Sequence, residues 1–238
     1  MKPFTDELRA EYGSRLQNVS ERRKRAARHY EALNAIGLWR TDGRILDVGC
    51  GAGLLLAALG TDRQLRVGCD LQRELYLSVR PLVGNIEFIQ ASGLALPFRG
   101  GGFALVTCLA MIPELPDWQR AINDMARCVA PGGVLYLTMA NAAVLLPFYR
   151  MRRALALLIH PSSVKYAENS GEILQYRPER GFGLPCLANW RYIHITPHLL
   201  HSQFSVLRFV PASLLGWVAR CVAPSFGFAW QRPLDGKV

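Results

Sequence analysis

The sequence predicts an α/β fold in which a mostly parallel β-sheet carries helices on both faces. Three observations lead there. Apolar runs of strand length alternate with helix-length segments between residues 44 and 139. A glycine-rich turn, Gly49-Cys50-Gly51-Ala52-Gly53, follows the first of these runs, and the second run ends on an acidic residue, Asp70. The chain has 238 residues, half of them hydrophobic and 19% charged, which suits one sizeable core and argues against general disorder.

The first forty residues read as a basic helical extension, with the main domain covering residues 41–238. Ser20 can cap a helix on which Ala26, Tyr30 and Leu33 recur at i, i+4 and i+7, and Gly37 can end it. Arg22-Arg23-Lys24-Arg25 and Arg28 give this helix its charge. Strands are then predicted at Arg44–Gly49, Leu65–Asp70, Ile86–Ala91 and Phe103–Leu109, and a fifth at Val134–Met139, entered through Pro131-Gly132-Gly133. Helices are predicted at Leu54–Leu59, Arg73–Val79 and Asp117–Val129.

After Met139 the alternation stops. Residues 142–196 hold an apolar-basic stretch, Ala142–Ile159, and then a segment rich in proline, glycine and aromatics. The pattern resumes at Pro197, with strands expected near Val206–Val210 and Phe226–Gln231. This reads as one Rossmann-like domain with an insertion after the fifth strand, and long irregular insertions usually carry function.

The six cysteines are scattered, form no C-x-x-C pair and lie mostly in apolar runs, so they read as reduced packing thiols rather than a disulfide framework or metal site. The first sixteen residues lack the apolar core of a signal peptide, and a cytoplasmic protein is expected. Arg150, Arg152 and Arg153 interrupt Ala142–Ile159 too often for a membrane span, leaving peripheral membrane contact open. The net charge of +10 favours anionic partners, although a solvated basic surface explains it as simply.

The glycine turn discriminates between two kinds of site. Dinucleotide-binding folds use G-x-G-x-x-G. Here Leu54 stands at the last glycine position, while Gly49, Gly51 and Gly53 alternate behind Asp47. That segment resembles motif I of class I S-adenosylmethionine (SAM)-dependent methyltransferases, in particular the small-molecule enzymes of the ubiquinone/menaquinone-biosynthesis type. Gly93-Leu94-Ala95-Leu96-Pro97-Phe98, Phe103-Ala104-Leu105-Val106 and Arg127-Cys128-Val129-Ala130-Pro131-Gly132-Gly133 resemble three further landmarks of that family, in the family's order. The resemblance runs from Arg44 to about Met139 and more weakly through Pro197–Pro233.

The resemblance implies a seven-stranded, mostly parallel sheet, SAM as cofactor, and no metal. It implies cofactor contacts from Asp47, Gly49, Cys50, Gly51, Gly53, Asp70, Leu71, Ser92, Gly93 and Leu109. Asp70 would accept hydrogen bonds from the ribose diol, and Leu71 would pack on adenine. The chain departs from the family at three places. Ser92 stands for an Asp that binds the adenine amino group, Ala104 stands for another Asp, and Pro113-Glu114 replaces a Glu-His pair. A Ser oxygen still accepts that bond, without charge assistance.

Methyl transfer needs alignment and exclusion of water more than covalent help. A general base can assist, and His194 is the candidate, although His194, His198 and His201 also read as ordinary surface histidines. Nucleic-acid N-methyltransferases of this fold carry Asn/Asp-Pro-Pro-aromatic after the fourth strand, where this chain has Leu109-Ala110-Met111-Ile112-Pro113. Cys108, in an apolar run, reads as packing rather than as a nucleophile. A small, apolar or aromatic acceptor is therefore expected, selected by a cap formed by residues 142–196, which include Phe182, Trp190 and Tyr192. Two alternatives stand beside it: methylation of RNA or protein guided by the basic helix, and a binding module without turnover. The oligomeric state is left open.

Overall fold

The computed structural model describes residues 19–37, 43–59, 64–84, 86–112, 115–140, 178–195, 209–211, 214 and 225–234. Helix α1 spans Val19–Ile36, so Ser20 lies inside it, and Gly37 ends it at φ 66° with its N–H bonded to Asn34 O. Then follow β1 (Ile45–Val48), α2 (Leu54–Leu59), β2 (Arg66–Asp70), α3 (Arg73–Val83), β3 (Glu87–Gln90), β4 (Phe103–Leu109), α4 (Trp118–Cys128) and β5 (Val129–Ala140). Two short 3-10 segments, Pro178–Gly183 and Pro185–Leu187, precede β6 (Arg191–His194) and β7 (Ser225–Gln231).

The seven strands form one sheet in the order β3-β2-β1-β4-β5-β7-β6. Strands β1 to β5 run parallel, and β7 is antiparallel to both β5 and β6. Alternate residues face opposite layers. Ile45, Leu105, Val134 and Tyr136 meet Ala26, Leu33, Leu55 and Tyr76 of α1, α2 and α3. Leu46, Val48, Val106 and Leu137 meet Trp118, Ile122 and Met125 of α4. Each fully buried side chain of this kind contributes about 1.5–3 kcal/mol before entropy is counted.

Several elements differ from the sequence reading. Helix α3 continues past Val79 to Val83, because Tyr76 and Val83 are both buried on the α1–α3 layer, two turns apart. Helix α4 starts at Trp118, with Asp117 as its cap accepting the Arg120 N–H at 3.0 Å. Strand β5 begins at Val129, since Pro131-Gly132-Gly133 lie within it next to a register shift against β4.

The largest correction concerns the sixth strand. It is Arg191–His194, inside the expected insertion; residue 209 is in a 3-10 conformation and residue 210 in a bend, and 206–208 lie outside the described residues. The four-residue run Arg-Tyr-Ile-His is too short to announce itself by alternation, and pairing with β7 along Tyr192↔Trp230 and Ile193↔Ala229 decides its state. The aromatics assigned to a cap also have another place. Phe182 is buried on the α4 layer, its ring 5.3 Å from Trp230 and 5.9 Å from both Trp118 and Phe228. Trp190 and Tyr192 pack on the same core. Residues 178–195 therefore wall the sheet, and residues 142–177 lie outside the described residues.

Candidate functional site

Strand β1 delivers the chain into a turn that only glycine accepts easily. Gly49, Gly51 and Gly53 adopt φ of 75°, 50° and 72°. The N–H groups of Gly49 and Cys50 donate to Cys69 O at 2.8 and 3.2 Å, pinning the turn to β2. A β-carbon on Gly51 would meet nothing within 4 Å, so this peptide faces open space. One on Gly53 would stand 3.3 Å from Ile86 Cδ1, so Gly53 serves close packing as well as the turn.

Asp70 closes the site from β2. Its Oδ2 accepts the Gly51 N–H at 2.8 Å and its Oδ1 accepts the Gln72 N–H at 2.9 Å. Each carboxylate oxygen keeps lone-pair capacity for a further donor, such as a diol. Leu71, next along, is 49% exposed and held by a bond from Gln90 Nε2 to its carbonyl. Ser92 Oγ accepts the N–H of Leu94 at 3.2 Å, closing its own turn. That loop is strapped to α4: Asp124 accepts the Leu96 N–H at 2.6 Å, and Arg127 pairs with Asp124 at 2.7 Å while donating to Phe98 O and Leu96 O.

Two predicted contacts lie beneath the turn. Asp47 is 3% exposed, and Thr107 Oγ1 donates to its Oδ1 at 2.6 Å. Burial, opposed by that bond and reinforced by Asp70, pushes the Asp47 carboxyl up to about 7. Cys50 turns its thiol inward: a β-carbon on Gly68 would lie 2.7 Å from Sγ. Burial and the nearby carboxylates push this thiol up, which suits packing rather than nucleophilic chemistry.

Three features escaped the sequence reading. Met111 lies across the site: its Sδ is 2.5 Å from where a β-carbon on Gly49 would stand, and its Cε is 2.8 Å from that of Gly93. No spacing rule flags this residue. Ala110, at φ 57°, is held by a shared N–H bond to Thr138 O (3.1 Å) and Oγ1 (3.0 Å) at the exit of β4, beside half-buried Leu109. That conformation costs about 1 kcal/mol in a non-glycine residue. On α1, His29 Nδ1 lies 2.8 Å from the hydroxyl of buried Tyr136. A histidine within the apolar face of a helix was the available signal.

The fold does not bring His194 to this cluster. It ends β6, paired with Phe228, and four strand steps separate β6 from β1. At about 4.8 Å per step the separation is roughly 19 Å. Residues Glu114, Arg150, Arg152, Arg153, His198 and His201 lie outside the described residues.

Residues 46–137, from β1 through the centre of β5, match the family model described as a methyltransferase domain. Over this segment the chain is similar to a methyltransferase domain. Over 154 residues it is 27% identical to the ubiquinone/menaquinone biosynthesis C-methyltransferase UbiE of Vibrio parahaemolyticus, covering 59% of this chain and 58% of that protein. Over 186 residues it is 25% identical to the ubiquinone biosynthesis O-methyltransferase of Coxiella burnetii, covering 72% and 74%. A putative methyltransferase solved in complex with the Haloferax volcanii Trm112 activator shares the fold at a TM-score of 0.58 and 15% identity, covering 94% of this chain and 95% of that one. The resemblance implies SAM as the cofactor. The residues present fit that group: an open glycine turn, a rigidly held carboxylate at the rim, and an exposed leucine beside it.

Proposed function

We propose that the protein transfers the methyl group of SAM to a small molecule with an apolar or aromatic body. The observation that carries this reading is Asp70, whose carboxylate is fixed by the Gly51 and Gln72 amides at the rim of the open turn. The names of the matched relatives, a C-methyltransferase and an O-methyltransferase of quinone biosynthesis, support a small-molecule acceptor.

When bound, SAM supplies an electrophilic methyl on a sulfonium. The chain's own part is placement. Asp70 would accept the ribose hydroxyls, Leu71 would cover one face of the adenine, and the backbone of Gly49–Gly53 would lie along the donor. Ser92, Gly93 and Leu109 would border it from β3 and β4. The buried carboxyl of Asp47 supports the turn from below and favours a cationic ligand above it. This reading assigns no step to His194, which ends β6 at the edge of the sheet. Residues 142–177 remain our candidate for the acceptor-covering segment, on the strength of the apolar run Ala142–Ile159.

The test is calorimetric titration with S-adenosylhomocysteine, followed by a turnover screen with SAM against phenols, quinols, amines and total RNA. Binding with transfer to a small molecule is expected. Absence of binding overturns the donor site, and transfer to RNA alone overturns the acceptor class. Replacing residues 142–170 by a Gly/Ser linker should preserve binding and abolish transfer.

A further inference from the structure

The loop that follows β3 adjoins the glycine turn. A β-carbon on Gly93 would stand 3.3 Å from Cγ1 of Val48, the residue before Gly49, and the Met111 side chain spans Gly49 and Gly93. The upstream end of this loop is tied to β2, where the Ala91 N–H donates to Asp70 O at 3.1 Å. Ser92 therefore comes one residue after a bond to the acidic rim. The chain then turns on itself, with the N–H groups of Leu94 and Ala95 donating to Ser92 Oγ and Ser92 O at 3.2 and 3.0 Å.

The downstream end is held from α4, by side chains rather than by a strand. Asp124 and Arg127 stand at i and i+3, on one face of that helix. Asp124 Oδ2 accepts the Leu96 N–H at 2.6 Å, and its Oδ1 accepts Arg127 Nε at 2.7 Å. Arg127 Nη1 donates to Phe98 O at 2.6 Å, and Nη2 donates to Leu96 O at 3.2 Å. All three guanidinium nitrogens are thus committed, and Leu96 is gripped by both its N–H and its carbonyl. The base of the grip is rigid, because Ala121, Ile122, Met125 and Cys128 of α4 are buried in the core. An exposed ion pair by itself contributes little stability. Backbone groups of one loop, taken by a fork of fixed geometry, instead set the position of that loop.

We propose that Asp124 and Arg127 are positioning residues for the methyl donor, holding Ser92 where its hydroxyl meets the adenine amino group. The inference rests on the methyl-transfer reading above, which sets Ser92 beside the donor. A neutral hydroxyl lacks the charge that strengthens a carboxylate's hydrogen bond, so its contribution depends more on being held in place. Gly93, directly after it, would otherwise leave the backbone free to move.

The full-length protein is titrated calorimetrically with S-adenosylhomocysteine and with S-inosylhomocysteine, whose ring carries an oxygen in place of the amino group. The unaltered protein should prefer the adenine compound about tenfold, a difference of about 1.4 kcal/mol. Asp124→Ala and Arg127→Ala should each weaken S-adenosylhomocysteine about fivefold and cut the preference to about twofold or less. Arg127→Lys, with a point charge in place of the fork, should fall between. A loss of overall stability does not alter this ratio, so the ratio reports position rather than folding. Ser92→Ala should lose the preference too, and adding Asp124→Ala to it should weaken binding by less than about twofold more. Arg127 is exposed, so Arg127→Ala should stay folded and carries the test if Asp124→Ala does not. A preference that survives in folded Arg127→Ala overturns the proposal, as does full additivity of Ser92→Ala and Asp124→Ala. Equal affinity of the unaltered protein for the two compounds overturns it as well. Failure of the unaltered protein to bind S-adenosylhomocysteine at all is a different result, which overturns the donor reading and this inference together.

Discussion

The thioether sulfur of Met111 lies 2.5 Å from the point at which a β-carbon on Gly49 would stand. Gly49 is therefore constrained twice, by its φ of 75° and by a side chain from 62 positions away in sequence, past the end of β4 (111 less 49). The turn and the β4 exit are packed as one unit, and a change on either side is felt on the other.

Gly49→Ala should destabilise the domain by about 1–3 kcal/mol, combining backbone strain with overpacking. Adding Met111→Ala removes the clash but leaves the strain, so the double variant should lose less than the sum of the singles. Denaturant unfolding of all four proteins measures the coupling. Strict additivity would show that the two residues do not meet.

Asp70→Ala should weaken S-adenosylhomocysteine binding by about 1.5–3 kcal/mol, the range for hydrogen bonds to a charged acceptor. The same change frees the N–H groups of Gly51 and Gln72, so the turn should also show faster amide exchange. Calorimetry and exchange on the same sample report both. Unchanged affinity in a folded variant removes Asp70 from the site.

Asp47 supplies a pH signature. Its carboxyl is pushed up to about 7 in the folded chain, against 3.8 ordinarily. Between those values the unfolded chain releases a proton that the folded chain keeps, so stability falls as pH rises from 4 to 7 and stays lower above 7. Asp47→Asn removes the titration. It should flatten the dependence of Tm on pH in this window and gain most relative to the parent above pH 7. Parallel profiles for the two proteins would place the titration elsewhere.

Tyr136→Phe should cost about 1–2 kcal/mol by removing one partner of a largely buried hydrogen bond. Because that bond spans from α1 to β5, the loss should concentrate in α1, read as faster exchange of its amides relative to those of β4 and β5. Uniform acceleration across the sheet would mean that the bond does not locate the helix.

The strands β1, β2 and β4, the glycine turn and Asp70 at the end of β2 were all legible from local pattern. Each depends on neighbours within a few residues: apolar runs that fit a buried strand, and glycines that permit positive φ. Strand β6 and the role of Phe182 were not. Arg191–His194 becomes a strand because β7 offers it an edge, and Phe182 is core because Trp118 of α4 and Phe228 and Trp230 of β7 converge on it.

The sequence by itself determined the α/β class, the residues of the turn and the acidic rim, since those follow from short-range sterics and hydrophobic period. Only the tertiary structure decided which of the predicted contacts face the cleft. It set Asp47 and the Cys50 thiol beneath the turn, laid Met111 across Gly49 and Gly93, carried His194 to the far edge of the sheet, and brought His29 to Tyr136. The physical reason is that burial and contact are set by strand order and by the layer each face meets, and neither quantity is encoded in any single stretch of chain.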